Sequence, residues 1–191
     1  MNERNGLIRD AMSDKIVRAA GEIAQECGSS AVTVRKILQS LHISNRVFYN
    51  RFHNVGEVLE IVYDDTARKM RENMAVEYDG KGDFFDYITD CVANTLLASY
   101  ELKRQFNQYV FENDSRSQEN YEWYVARIKA LFEYARKNDL IREVDEETLG
   151  YSIWCFCRGY NADAVSRMPK EEAVEKFKYS FRILLEGIKK K

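Results

Sequence analysis

Residues 11–27 place Ile16, Ala19, Ala20, Ile23, Ala24 and Cys27 at the i, i+3, i+4, i+7 spacing of one helix face. Gly28 follows, where a helix ends on a residue free to take positive φ. The period resumes over 33–41 with Val34, Ile37, Leu38 and Leu41. Thr33 is the N-cap of that stretch, and Val32 is set to staple Ile37 across the first turn. After a short turn, Leu41-His42-Ile43, Ser44 caps a third helix, and Ile43 stands to Phe48 as Val32 stands to Ile37. Asn54 caps a fourth helix, with Glu57 at the capping-box position.

The same periodicity predicts longer helices beyond that point. They cover 54–78, 83–100, 102–113, 117–137, 146–167 and 170–188, broken at Asp79-Gly80-Lys81-Gly82 and Asn138-Asp139. Pro169 stands at the start of the last, where a missing N–H costs little. The pattern is all-α, about nine helices. It divides into a three-helix segment at 1–53 and a larger helical domain at 54–191.

Composition agrees. The 191 residues include one Pro and nine Gly, too few for a turn-rich barrel or sandwich. Apolar residues make up 45%, enough for a sizeable core. No apolar run approaches the roughly 18 residues of a membrane span, and the first residues have no signal-peptide core. The cysteines, Cys27, Cys91, Cys155 and Cys157, are scattered and read as reduced, buried thiols of a cytoplasmic protein. No metal or cofactor is called for.

Charge changes the picture. The net charge is −2, yet residues 1–53 hold eight bases against five acids, +3, and the remainder holds 21 bases against 26 acids, −5. No acid lies between Glu26 and Glu57, where the average composition would place roughly five. That gap covers two short capped helices separated by about three residues, a helix-turn-helix pattern. Phe48 and Phe52 give the third helix its buried edge. Asn45, Arg46, Val47, Tyr49, Asn50 and Arg51 then face outward, a set of amides, guanidinium groups and a phenol suited to a DNA major groove.

At residues 15–63 the chain resembles the TetR family of bacterial transcriptional regulators. The resemblance is carried by Lys15-Ile16-Val17-Arg18-Ala19-Ala20, Gly28 and Thr33-Val34-Arg35-Lys36-Ile37, then Ile43-Ser44, Phe48-Tyr49-Asn50-Arg51-Phe52 and Glu57-Val58-Leu59. It departs from the family at His42, where the turn usually has Gly and positive φ. It departs again at Val47, usually a small Thr or Ser, and at Val55, usually Lys.

The resemblance implies a homodimeric repressor of a palindromic double-stranded operator, released by a small molecule. Tyr49 matches the family's phosphate-contacting tyrosine. Arg46 is a candidate for guanine, and Asn45 or Asn50 for adenine. Thr33, Lys36 and Arg51 are candidates for phosphates, and Arg35, Ser44 and Val47 complete the candidate DNA-binding set. Arg4 and Arg9, in segment 1–12, belong either to a minor-groove arm or to a frayed terminus. His53 reads as part of the start of the fourth helix rather than as a metal ligand.

In the second domain Tyr87, Cys91, Phe106, Tyr109, Tyr124 and Trp154 are the candidate lining of an effector cavity, suited to an aromatic or lipophilic, neutral or weakly polar ligand. Ile153, Phe156, Gly159, Tyr160, Phe177, Phe181, Leu184 and Leu185 are the candidate dimer interface, since the resemblance implies that the last two helices pair with their copies. No catalytic arrangement of carboxylates, nucleophile and base, or phosphate loop is found, so the chain is not read as an enzyme. The alternative is a helical adaptor that binds protein and keeps a degenerate reading head.

Overall fold

The computed structural model describes residues 7–72, 74 and 77–190. Nine α-helices lie among the described residues: α1 Ala11–Cys27, α2 Val34–Leu41, α3 Asn45–Tyr49, α4 Val55–Glu72, α5 Phe84–Glu101, α6 Arg104–Asp114, α7 Gln118–Lys137, α8 Glu146–Arg167 and α9 Lys170–Glu186. No helix among them is long and apolar enough to cross a membrane. The chain forms two compact units. The first is Met1–Arg68 with Leu102–Val110, and the second is Lys69–Glu101 with Phe111–Lys191.

In the first unit α1 buries Ile16, Ala19, Ala20 and Ala24 of the predicted stripe, while Ile23 is half-buried and Cys27 exposed. Gly28 ends it at φ 87°. A single 3-10 turn, Ser29–Ala31, leads to α2, where the Thr33 hydroxyl accepts from the Lys36 N–H at 3.2 Å. Val32 and Ile37 are both buried, as a hydrophobic staple requires. His42 ends α2 at φ 53°, ψ 43°, in the left-handed region where the resemblance placed a glycine. Phe48 and Phe52 are fully buried, completing a core with Ile37 and Val58.

Two local expectations are corrected. Ser44 occupies the cap position of α3 but makes no side-chain cap bond. Among the described residues the fourth helix runs to Glu72, and Tyr78 is not part of it. Tyr78 belongs instead to the following break, where its hydroxyl donates to the Gly82 carbonyl at 2.7 Å and its ring packs on Phe84, Tyr87 and Tyr134. Residues 73, 75 and 76 lie outside the described residues.

The second unit is built on α5, which packs against α8 and α9, while α7 packs against α8. Ile88, Leu96, Phe132, Ile153, Phe177 and Phe181 form the centre of its core. The last helix stops at Glu186 because the tail changes partner. The Arg142 N–H donates to the Ile188 carbonyl and the Lys190 N–H to the Leu140 carbonyl, each at 3.0 Å. Of the four cysteines, all free, Cys91 and Cys157 are buried, but Cys27 and Cys155 are exposed, against the expectation of uniform burial.

The left-handed conformation of His42 costs a side-chain-bearing residue about 1–2 kcal/mol. His42→Gly is expected to raise stability by about 1 kcal/mol and His42→Val to lower it. Urea titration followed by circular dichroism checks this, and a lowered midpoint for His42→Gly contradicts it.

Candidate nucleic-acid interface

α3 is a five-residue helix, and its side chains divide sharply. Phe48 faces inward with Phe52, the ring centroids 5.8 Å apart. Asn45, Arg46, Tyr49 and Asn50 are exposed, and Val47 is half-buried. Tyr49 packs edge-on against Phe48, at 5.3 Å and 83°, yet stays 51% exposed. Ser44, Thr33, Arg35 and Lys36 are also exposed. The sequence between Glu26 and Glu57 supplies no carboxylate to this surface.

Arg51 behaves differently from the other bases. Its Nε donates to Asp10 Oδ1 at 2.9 Å, its Nη2 to Asp10 Oδ2 at 2.6 Å and its Nη1 to the Val47 carbonyl at 2.9 Å. Only 12% of its side chain is exposed. The guanidinium offered by the sequence as a phosphate contact is therefore engaged within the unit. Its charge is balanced, leaving Arg35, Lys36 and Arg46 as the positive groups of this face.

Asp10 also caps α1, Oδ1 accepting from the Met12 and Ser13 N–H groups, each at 3.0 Å. The Arg51 guanidinium, with these two N–H donors, holds the Asp10 carboxyl well below the usual carboxylate range. The neighbouring segment is fastened too. The Ile8 N–H donates to the Asn50 carbonyl at 2.9 Å, and the Arg9 guanidinium lies 4.8 Å from the Phe52 ring centroid. Residues 8–10 are thus held against the end of α3 rather than frayed, and Arg4 lies outside the described residues.

At the start of α4 the Glu57 N–H donates to Asn54 Oδ1 at 3.1 Å. The Glu57 carboxylate accepts from the His53 N–H at 2.9 Å and lies 2.7 Å from His53 Nδ1. His53 accordingly serves the start of the helix, as its sequence position suggested.

The candidate effector residues do not gather in one place. Phe106 and Tyr109 fall in the first unit, where the Tyr109 hydroxyl donates to the Leu59 carbonyl at 3.1 Å. Tyr87 joins the Tyr78–Phe84 aromatic group, accepts from Arg127 Nη2 at 3.3 Å, and has its pKa pushed up to about 12, chiefly by burial. Cys91 is buried. Tyr124 and Trp154 do line a cavity, of about 30 Å³, together with Met70, Met74, Val92 and Ile128. Burial raises the Tyr124 phenol far above its ordinary pKa, so it is a neutral hydroxyl.

The candidate interface residues are likewise redistributed. Ile153, Phe177, Phe181 and Leu185 are buried in the core of the second unit, and Phe156, Tyr160 and Leu184 pack against it. Gly159 is exposed with open space around the position of a Cβ. The large apolar groups that α8 and α9 leave exposed are Tyr151, Tyr179 at 68% and Ile183 at 58%, none of which the sequence singled out. They lie off the dominant apolar stripe, which packs inward.

No protein-family model and no curated protein matches the chain. Solved structures do. A TetR-family transcriptional regulator from Pectobacterium atrosepticum superposes with a TM-score of 0.75 at 15% identity, covering 94% of this chain and 95% of that one. FadR from Bacillus halodurans, a fatty acid degradation regulator, superposes with 0.71 at 14%, covering 91% and 96%. GusR from Salmonella enterica superposes with 0.68 at 18%, covering 96% and 98%. The likeness spans nearly the whole of each chain and is one of fold.

Asp10→Asn preserves an N-cap while removing the ion pair to Arg51. The variant is expected to be less stable than the parent at neutral pH. A carboxyl whose folded pKa is depressed contributes above its unfolded value, here near 3.8, and loses that contribution as pH falls through the folded value. The difference between parent and variant should therefore be constant from pH 7 to about 4 and shrink below that. Thermal melts across this range decide it, and a difference unchanged at acid pH contradicts the ion-pair account.

Proposed function

We propose that this chain is a transcriptional regulator of the TetR kind, a homodimeric repressor that reads a palindromic operator and is released by a small molecule. The observation that carries the reading is α3: a helix fixed by Phe48 and Phe52 that presents Asn45, Arg46 and Tyr49 within a segment, 27–56, that contains no carboxylate. A guanidinium can fork onto guanine O6 and N7, and an amide can pair with adenine. The Tyr49 hydroxyl and the Lys36 ammonium serve phosphates, which position the helix without specifying sequence. One such head reads too few base pairs for specificity, so two copies engage successive half-sites.

The second unit supplies the copy-to-copy contact and the effector site. Tyr179 and Ile183 on α9, with Tyr151 on α8, support an interface there, because such exposure is otherwise costly in water. The effector enters the cavity at Tyr124 and Trp154. Met70, in its wall, stands on α4, the helix whose earlier turns belong to the first unit. Release of DNA requires that the ligand bind the two conformations with different affinity.

Selection of bound duplexes from a random pool tests the reading head. Arg46→Ala is expected to cost about 1–3 kcal/mol on the preferred site and to relax base preference at one position. Lys36→Ala should weaken all sequences alike and reduce the salt slope by about one. A parent that retards no genomic fragment at low salt points to the adaptor instead. Separately, Ile183→Asp is expected to yield monomers by light scattering and to abolish operator binding, with the helical circular dichroism unchanged. A dimer of that variant with full affinity rules this interface out.

A further inference from the structure

The cavity of the second unit is bordered by a guanidinium that lacks an anion. Arg158, on α8, lies between two aromatic rings, 4.6 Å from the Phe111 centroid and 5.3 Å from that of Trp154. Its Nη2 donates to the Phe111 carbonyl at 3.3 Å and to the Ser115 hydroxyl. Both acceptors are neutral, and no carboxylate pairs with Arg158 among the described residues. Its Nε is buried and makes no hydrogen bond. By contrast Arg51, Arg68, Arg71, Arg136, Arg167 and Arg182 each pair with a carboxylate.

A buried, unsatisfied donor on a charged group is costly, so a native structure rarely keeps one without use. The missing partner is an acceptor for one N–H. With Nη2 engaged by Phe111 and Ser115, the Nε–H is the free buried donor, and a carboxylate oxygen is its charge-matched acceptor. Arg158 is also only partly buried, whereas Met70, Met74, Val92 and Ile128 are buried. The cavity therefore sets an apolar wall beside a partly exposed guanidinium. Asp114 lines it as well, its Oδ1 accepting from Asn120 Nδ2 at 2.8 Å. A single guanidinium balances a single carboxylate charge.

We propose that this cavity takes a monoanionic carboxylate with an apolar body, its head on the Nε edge of Arg158 and its tail among Met70, Met74, Val92 and Ile128. The inference rests on the effector reading above and specifies the ligand class. A cavity of about 30 Å³ holds little more than a water molecule, so the tail enters by displacing side chains. The two methionines suit this, being unbranched and easily rearranged. The aromatic or lipophilic, neutral or weakly polar ligand suggested by the sequence gives way to an amphiphile because Arg158, absent from the sequence-derived lining, is part of the wall.

The full-length protein is titrated with straight-chain carboxylates from hexanoate to hexadecanoate and with naphthoate, followed by tryptophan fluorescence and calorimetry. The matched alcohols and amines serve as comparisons. At least one acid is expected to bind, its alcohol roughly thirtyfold more weakly and its amine more weakly still. Arg158→Gln should erase the preference for acid over alcohol while leaving alcohol affinity and circular dichroism unchanged, and Arg158→Lys should keep part of that preference. The proposal is overturned if no acid binds, if acid and alcohol bind the parent alike, or if Arg158→Gln retains the preference. Operator release is measured separately with the same ligands. An acid that binds through Arg158 but leaves the DNA complex intact overturns the effector reading alone. Release by an uncharged ligand, with no acid bound, overturns this inference alone.

Discussion

A helix of five residues cannot hold itself together. Nucleation fixes several residues for the first hydrogen bond, and isolated helices need about 12–15 residues to be even marginal in water. α3 has to be held from outside, and the first unit is arranged to do so. Phe48 and Phe52 anchor one edge in the core. Arg51 ties the Val47 carbonyl to Asp10, and the Asn50 carbonyl accepts from the Ile8 N–H. Upstream, the left-handed His42 reverses the chain so that α3 can reach that core. What remains outward after these demands are met is a small set of side chains, and that set is the candidate reading surface.

The same anchoring sets the electrostatics. A basic segment read from sequence suggests that every Arg and Lys faces an anion. Asp10 takes one of them, and at the same time completes the N-terminus of α1. One carboxylate thus joins the start of the first helix to the end of the third. Between Glu26 and Glu57 the bases that remain exposed are Arg35, Lys36 and Arg46, on α2 and the start of α3.

Local chemistry was legible in the sequence, and its partners were not. The bounds of α1, the Thr33 cap, the Val32–Ile37 staple and the inward Phe48 and Phe52 all follow from spacing within one or two turns. The Asp10–Arg51 pair joins residues 41 apart, and periodicity tells which face a residue takes without telling what lies across from it. The same limit scattered the candidate cavity. Phe106 and Tyr109 look like second-domain aromatics because of where they fall along the chain, yet 102–110 belongs with the first unit. An apolar stripe also cannot say whether it meets its own core or a second copy. Phe177 and Phe181 meet their own core, while Tyr179 and Ile183, lying off the stripe, remain outside.

The size of the cavity bears on how such a protein can be switched. A roomy, preformed site binds its ligand whichever conformation the rest of the chain adopts, and a ligand with equal affinity for both conformations shifts nothing. A site of about 30 Å³ cannot be occupied by an amphiphile without repacking its wall. On the proposed reading, the ligand favours the repacked arrangement, which is the differential affinity that a switch requires. Met70 makes this consequential, since the wall it forms is a turn of α4, the helix that begins with the Asn54–Glu57 cap of the first unit. A tight cavity, a poor feature for raw affinity, is for that reason a suitable one for control.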